Sequence, residues 1–319
     1  MKKFILILLT AIALFVSCEE EVSIKADFTE QYILNCILSA DTTFQTAYLS
    51  KSFDVPGYGA DTYDGDPFIE DAQIVLFDGH ETHFFHQAAI DSLPGFNFNF
   101  PITYYYLDDY QPQPRSEVAI RAELPNGEVL TSNQRIVEYK FTYLPFFRAA
   151  FPPRDTSVHD LRFNSYNYFE PFYFIPKMVI PYENTEDGLG IRNVEVPLDY
   201  VLKNNIQKPI YPGIMKTVDF SYKRKILDMV MKNLSEGDNL KARYKVYASR
   251  MSMLMLNDNL AAYYSAQNYI NDNFSIVVSK PEYSNIEGGR GIFGSYSNVT
   301  GKVTITAEYI QSFGYQIGR

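Results

Sequence analysis

The amino-acid sequence predicts a mainly β protein, with two β-sandwich-like (Ig-like) domains and one short helix in the C-terminal half. Aromatic residues make up 16% of the 319 residues, and aromatic side chains favour the half-buried surface of a sheet. Short apolar runs separated by turn-forming residues recur from Ile33 to Leu130, as is typical of a sandwich. A hydrophobic content of 46% is enough for a sizeable core, which excludes a disordered chain.

The composition along the chain predicts five segments. In order, the segments are a signal peptide at 1–17, a lipidated tether at 18–30, an N-terminal β-sandwich domain at 31–142, a linker or long connection at 143–165, and a C-terminal β-rich domain at 166–319. The linker is placed where Pro145, Pro152 and Pro153 interrupt the hydrophobic periodicity, because such prolines are common between domains.

The first residues have the plan of a secretory signal. Lys2 and Lys3 precede an apolar run of about a dozen residues, which is too short to span a bilayer. The run ends at Val16-Ser17-Cys18, which resembles the lipobox of bacterial lipoproteins. We therefore expect Cys18 to be the lipid-modified N-terminus of the mature protein, held in a membrane by its acyl chains.

The net charge and a short acidic run indicate which partners are excluded and where the protein is located. The formal net charge is −10, and cleavage before Cys18 would remove two lysines, so the mature chain repels nucleic-acid phosphates and nucleic acid is not expected as a partner. Glu19, Glu20 and Glu21 resemble the export signal that sends lipoproteins of Bacteroidetes-type bacteria to the outer face of the outer membrane. A solvated tether is the other interpretation of this acidic run, and the two are compatible.

The first predicted strand is Tyr32–Leu38, a mostly apolar run that contains Cys36. The chain has only 2 Cys, and acylation of Cys18 would leave no intramolecular disulfide. We therefore expect Cys36 to be a buried, unreactive thiol.

Later strands follow from turn residues and from alternation. Asn126-Gly127 lies between two β-rich runs and predicts a hairpin over Glu117–Leu130. Leu240–Ala248 alternates apolar and polar residues, which predicts a strand with one solvated face. Lys302–Tyr309 alternates in the same way and predicts the last strand.

One helix is predicted, at Asn259–Ile270. Its apolar residues recur at steps of three or four, which is the spacing of a single helix face. Asn257 and Asp258 precede it and are the candidate N-cap residues.

Three histidines are weak candidates for a metal site. His80, His83 and His86 carry the imidazole nitrogens that zinc prefers. In a continuous strand, however, His80 and His86 would lie about 20 Å apart on one side and His83 would face the other. Only a loop that gathers them would make a site.

Three aspartates are weak candidates for a calcium site. Asp61, Asp64 and Asp66 lie in a glycine-bearing stretch, and clustered carboxylates offer the hard oxygen ligands that calcium prefers. Their spacing does not match the EF-hand pattern, and Asp and Gly also form solvated turns without any ion. No metal or other cofactor is therefore expected.

Catalytic motifs give no positive indication of an enzyme. Gly289–Gly294 matches G-x-G-x-x-G in letters, but a dinucleotide site needs a helix to open at its end, and turn and strand residues follow instead. No nucleophile elbow, H-E-x-x-H or Walker A motif occurs, and no catalytic residue is assigned. The sequence leaves open a pair of carboxylates of the glycosidase type, because the two members of such a pair can be distant in the chain.

Two aromatic clusters are candidate docking surfaces. Tyr104-Tyr105-Tyr106 and Phe146-Phe147 lie near proline-containing segments, and Tyr is enriched at interfaces because one end is apolar and the other is wet. Packing in the core at strand ends is the alternative.

The segment Tyr283–Gly294 resembles the closing S-N-I-x-x-G-x-G-x-F motif of a lipoprotein family of unknown function in Bacteroidetes-type bacteria, domain of unknown function 4249, in which a Pro precedes it as Pro281 does here. The start is also similar, at Tyr32–Leu38, Ser50-Lys51-Ser52 and Ile69-Glu70-Asp71-Ala72. Members are commonly encoded beside a TonB-dependent outer-membrane receptor. The resemblance therefore implies a receptor-associated surface lipoprotein and no catalytic residue.

The leading functional hypothesis is a non-enzymatic, surface-exposed outer-membrane lipoprotein that serves a TonB-dependent receptor as an accessory or cargo-binding partner. A surface adhesin or an envelope structural subunit is the alternative, because the same scaffold suits either role. A glycan- or peptide-directed hydrolase is a further alternative, for which the sequence offers only unassigned Asp and Glu.

Overall fold

A computed structural model describes residues 28–53, 65–91, 101–137, 150–151, 160–164, 173–216, 219–268 and 283–318. Most of these belong to one compact unit, made of Gln31–Ser52 and Asp64–Arg319. Most of the predicted linker at 143–165 lies outside the described residues, and the two-domain division stays a prediction.

The structure is mainly β and sandwich-like, which confirms the predicted fold class. The strands are β1 (Tyr32–Ser39), β2 (Gln45–Lys51), β3 (Gln73–Phe77), β4 (Thr82–Phe84), β5 (His86–Ile90), β6 (Ile102–Leu107), β7 (Glu117–Glu123), β8 (Val129–Arg135), β9 (Ala150–Phe151), β10 (Asp160–Asn164), β11 (Tyr173–Asn184), β12 (Arg192–Glu195), β13 (Asp199–Lys203), β14 (Ile206–Ile210), β15 (Asp219–Lys223), β16 (Tyr244–Val246), β17 (Ser249–Leu256), β18 (Arg290–Ile305) and β19 (Gln316–Ile317). The helices are α1 (Arg224–Asn233), α2 (Asp258–Asn268) and α3 (Ala307–Ser312), with a 3₁₀ turn at Lys241–Arg243.

Most strands belong to an 11-stranded mixed sheet, here called the main sheet. Its order is β19-β16-β11-β17-β18-β1-β2-β6-β5, with β12 paired to β11 and β9 paired to β18. A 4-stranded sheet has the order β4-β3-β7-β8, and two 2-stranded sheets are β10-β15 and β13-β14.

The N-terminal part is a sandwich of the 4-stranded sheet against one end of the main sheet. Alternate residues of β1 and β2, such as Leu34, Cys36 and Leu49, are fully buried and face Ile74 and Ile120 of the other sheet. This alternation is the period of two that a half-buried strand requires. The predicted burial of Cys36 is confirmed, and burial raises the pKa of its thiol far above the usual value.

The C-terminal part covers the other end of the main sheet with helices as well as strands. Buried side chains of β11, β17 and β18 pack with Leu227 and Met231 of α1 and with Tyr309 and Ile310 of α3. The described residues therefore contain two α-helices besides the predicted one. Helix α1 buries residues at i, i+1, i+4 and i+5, a helical spacing that was present in the sequence.

Two strand predictions are partly wrong for local reasons. In Leu240–Ala248 the first half is the 3₁₀ turn, and only Tyr244–Val246 pairs in the sheet. In Lys302–Tyr309 the strand ends at Ile305, because the hydroxyl of Thr306 accepts a hydrogen bond from the N–H of Tyr309 and caps helix α3.

Two other predictions are confirmed in detail. The hairpin over Glu117–Leu130 is β7–β8, and Gly127 takes the positive φ of +86° that its turn needs. Helix α2 begins at Asp258, one residue before the predicted start, and the side-chain oxygen of Asn257 accepts the N–H of Leu260 at 3.1 Å as an N-cap does. The predicted last residue, Ile270, lies outside the described residues.

The glycine-rich motif is where β18 meets β1 in parallel. Gly291 has φ +121°, and a Cβ there would overlap the carbonyl oxygen of Leu34. Asn285 holds the backbone of β18 at this point, because its Nδ2 donates to the carbonyl of Phe293 at 2.8 Å and its Oδ1 accepts the N–H of Phe293 at 2.9 Å. Gly291 and Gly294 lie inside β18 and no helix opens after them, unlike the strand-turn-helix arrangement of a dinucleotide site.

A buried network around Asn257 joins three elements. Its Oδ1 also accepts the N–H of Ser295 at 3.1 Å, and its Nδ2 donates to Oε1 of Gln134 at 2.6 Å. Gln134 in turn donates to the carbonyl of Gly294 at 3.0 Å. The network ties β8, β18 and the start of α2 together inside the core.

Replacing Gly291 by Ala should lower the free energy of unfolding by more than about 2 kcal/mol, because both the positive φ and the contact with Leu34 oppose a Cβ. Gly127→Ala is the matched control: its φ is also positive but a Cβ there meets open space, so about 1 kcal/mol is expected. Urea unfolding of both variants measures the difference. Equal losses in the free energy of unfolding would show that the close approach of Gly291 to β1 adds no cost to the substitution.

Replacing Asn257 by Asp should cost about 2–4 kcal/mol at neutral pH, because the new oxygen would face Oε1 of Gln134 where an N–H₂ now donates. Asn193→Asp is the control, because Oδ1 of Asn193 accepts from Arg250 at 2.7 Å on the surface. This substitution should leave the free energy of unfolding unchanged or raise it slightly. Thermal or urea unfolding distinguishes the two, and a small effect at Asn257 would contradict its role in the core.

Candidate functional site

The structure tests only some of the predicted site residues. Cys18 and the acidic run Glu19–Glu21 lie outside the described residues, and so do Asp61 and Asp64. Within the residues that the structure describes, none of the helices has the length and apolar character needed to cross a bilayer.

The three histidines are divided between different elements. His83 is in β4 of the 4-stranded sheet and His86 is in β5 of the main sheet, while His80 is in the turn before β4. The Nε2 of His83 lies 3.0 Å from Oδ2 of Asp78, and the N–H of His80 donates to Oδ1 of Asp78 at 2.9 Å. Among the described residues, no group of three or more His, Cys, Asp or Glu could hold a metal ion.

The carboxylate of Asp78 is contacted by three residues of this turn, His80, Glu81 and His83. The N–H of Glu81 donates to its Oδ1 at 2.8 Å and is the main cause that holds the pKa of Asp78 down at about 2. The side chain of His83 and the N–H of His80 act in the same direction, whereas partial burial opposes them. These contacts organise a β-turn between β3 and β4.

Asp66 is the one member of the predicted calcium cluster that the structure describes. Its Oδ1 accepts the N–H of Phe68 at 2.8 Å, the local bond of an Asx-turn.

The tyrosine triplet divides between the two sides of β6. Tyr105 is buried in the sandwich core, where its hydroxyl donates to the carbonyl of Ile69 at 2.7 Å and accepts the N–H of Ala72 at 3.1 Å. Tyr104 and Tyr106 are on the opposite, outer side, because successive strand residues alternate. The predicted docking surface can therefore include two of the three tyrosines. The other cluster, Phe146-Phe147, lies outside the described residues.

Tyr104 and Tyr106 belong to a continuous layer of rings, here called the aromatic face. Ring centroids lie 6.2 Å apart for Tyr104–Tyr106, 6.2 Å for Tyr48–Tyr104, 5.6 Å for Phe44–Tyr106 and 5.7 Å for His86–Tyr106. The side chain of Phe44 is 45% exposed and the tyrosines are half-buried. Such a layer stabilises cross-strand pairs and offers amphipathic ring surface to a partner.

A second exposed surface was not predicted from the sequence. The β13–β14 hairpin, here called the arm, pairs with no other strand among those described, and its turn residues Asn204 and Asn205 have φ +52° and +61°. Leu202 and Ile206 beside the turn are 67% and 62% exposed. The Asn-Asn pair between two short β-rich runs is a hairpin signal that would have revealed the arm.

A cleft of about 460 Å³ adjoins the base of the arm. Its lining residues are Asp160, Lys223, Arg224, Lys225 and Asp228. Lys223 also forms an ion pair of 2.5 Å with Asp199, the first residue of the arm. The base of the arm is thus next to a cleft whose lining has three basic and two acidic side chains.

No model of a known protein family matches the chain, and no curated protein sequence matches it.

Replacing Asp78 by Asn should destabilise the protein at neutral pH, because the lowered pKa of Asp78 means that the folded state favours its charged form. This contribution is complete above about pH 4, the pKa of an unfolded Asp, and is lost as the pH falls through about 2. Urea unfolding of both proteins at pH 7 and near pH 2 should show the difference shrinking. A difference that is independent of pH would contradict this.

Proposed function

We propose that this chain is a surface-exposed outer-membrane lipoprotein that serves a TonB-dependent receptor as a non-enzymatic accessory or cargo-binding partner. The proposal rests mainly on Val16-Ser17-Cys18 at the end of a short apolar run, followed by Glu19–Glu21. The resemblance of Tyr283–Gly294 to a family encoded beside such receptors names the partner.

The aromatic face supports a binding role for the folded part. Clusters of exposed rings are more common at interfaces than on the rest of a protein surface, because they bury much area while losing little conformational freedom. Tyr104 and Tyr106 are held in place by the pairing of β6 with β5, and Phe44 stacks on Tyr106, so a partner would meet a preorganised surface.

A surface adhesin or an envelope structural subunit is the second candidate, because the aromatic face would serve such a partner equally well. The two candidates differ in what the protein binds: a single β-barrel receptor in near-equal amount, or an external surface or another envelope component.

Mild-detergent purification of the tagged protein from its native outer membrane should recover a TonB-dependent receptor in near-equal amount, identified by mass spectrometry. Cys18→Ala should lose the lipid, as an intact mass shows, and should leave the membrane fraction. The absence of any β-barrel receptor with the unaltered protein would overturn the receptor proposal and favour the adhesin.

The double variant Tyr104→Ala/Tyr106→Ala should reduce receptor recovery by about tenfold or more if the aromatic face is the contact. Phe84→Ala is the matched control, because Phe84 is a 56% exposed aromatic residue on the 4-stranded sheet. Recovery that both variants leave unchanged would reject the aromatic face as the contact while leaving the partnership intact.

A further inference from the structure

The arm exposes large apolar side chains on both of its faces. Residues opposite each other in an antiparallel pair share a face, so Val201 and Ile206 lie on one side, and Leu202 on the other. All three are exposed, together with Ile210 and Tyr211 at the base. A monomeric soluble protein rarely presents such a concentration of apolar surface without a partner.

A two-stranded hairpin is marginally stable by itself, and the arm is held at its base. The N–H of Leu198 donates to the carbonyl of Ile210 at 2.8 Å, and Asp199 forms its ion pair with Lys223. The arm thus projects from a fixed base, with its most exposed apolar residues, Leu202 and Ile206, beside the turn.

Charge around the arm is opposite to that of the whole chain. Residues 199–225 contain six Lys or Arg and two Asp, whereas the chain as a whole has a formal net charge of −10. Lys203 and Lys208 lie on the same face of the arm as Val201 and Ile206. Arg224 and Lys225 extend the basic region from Lys223 at the base into the cleft, where Asp160 and Asp228 offset part of this positive charge and leave an excess of one.

We propose that the arm is a membrane-contact element that rests on a lipid surface with anionic headgroups. The interfacial region of a bilayer can surround the arm and cover apolar side chains on both faces, whereas a flat protein surface would cover only one. Lysines at such a surface keep their stems among apolar groups and their ammonium groups at the phosphates. Because the rest of the chain is acidic, an anionic surface would repel it except where this basic region faces the lipid.

This contact goes beyond the proposed receptor partnership and does not depend on it. A lipid anchor at Cys18 would confine the chain to the membrane, where even a weak second contact is effective because the local concentration is high. The arm would then set which side of the protein faces the lipid.

Vesicle co-sedimentation tests the proposal with a lipid-free chain of residues 19–319, which keeps every described strand and all of the buried cores. We expect binding to phosphatidylcholine vesicles with about 30% phosphatidylglycerol, much weaker binding to pure phosphatidylcholine, and weakening by salt. Binding that is equal on both vesicles, or absent from both, would overturn the proposal.

Leu202→Ser/Ile206→Ser should reduce the partition onto anionic vesicles by about tenfold or more. Lys203→Gln/Lys208→Gln should reduce it by about fivefold for each charge and lessen the preference for anionic lipid. Leu189→Ser is the matched control, because Leu189 is 70% exposed in the turn between β11 and β12, and it should leave binding unchanged.

Circular dichroism and thermal unfolding check that each variant is folded, since these side chains are exposed and should leave the melting temperature within a few degrees. Equal loss of binding in the control and arm variants would overturn the proposal. If the unaltered chain instead forms dimers that the arm variants abolish, with vesicle binding unaffected, the arm is an interface between copies and the membrane assignment is wrong.

Discussion

The close parallel approach of β18 to β1 is the constraint on which the rest of the structure depends. Parallel neighbours need a long crossover, and here most of the chain lies between the two paired segments. The approach requires a residue without a Cβ at Gly291, and Asn285 holds the incoming strand through both backbone groups of Phe293. Once β18 is in place, its first half packs in the sandwich core and its second half, at Val303 and Ile305, packs in the other core. One strand therefore serves both ends of the main sheet.

The position of the aromatic face follows from that sheet. The 4-stranded sheet covers the inner side of β1, β2 and β6, which leaves the outer side of β2, β5 and β6 to the rings. At the neighbouring strands the outer side is closed by α2, whose Leu260 packs against Ile292 of β18. The N-cap at Asn257 fixes the start of that helix against the sheet, so the buried network also determines where the covered part of the outer side ends.

The arm, which carries basic residues and exposed apolar side chains, is separate from the aromatic face. The arm belongs to the strand-rich insertion between β12 and β15, with basic residues at its base and along one face. Two surfaces of different chemistry suit two different contacts: rings with half-buried hydroxyl groups for a protein or cargo, and an apolar, cationic arm for an anionic lipid surface. An anchored protein that works beside a receptor would need both a partner contact and a defined orientation.

The sequence by itself determined the features that depend on neighbours in the chain. Alternation and composition predicted a mainly β fold, Asn126-Gly127 predicted its hairpin, and Asn257 was recognised as a cap, because turns and caps are formed by residues a few positions apart. Helix α1 has the same kind of local signal, because its buried residues recur at helical spacing in the sequence. The pairing of β18 with β1, the outward side of Tyr104 and Tyr106, and the isolation of the arm were decided only by tertiary structure. Each depends on which distant strand supplies the other half of a ladder or the other layer of a core, and strand periodicity identifies two faces without saying which one will be covered.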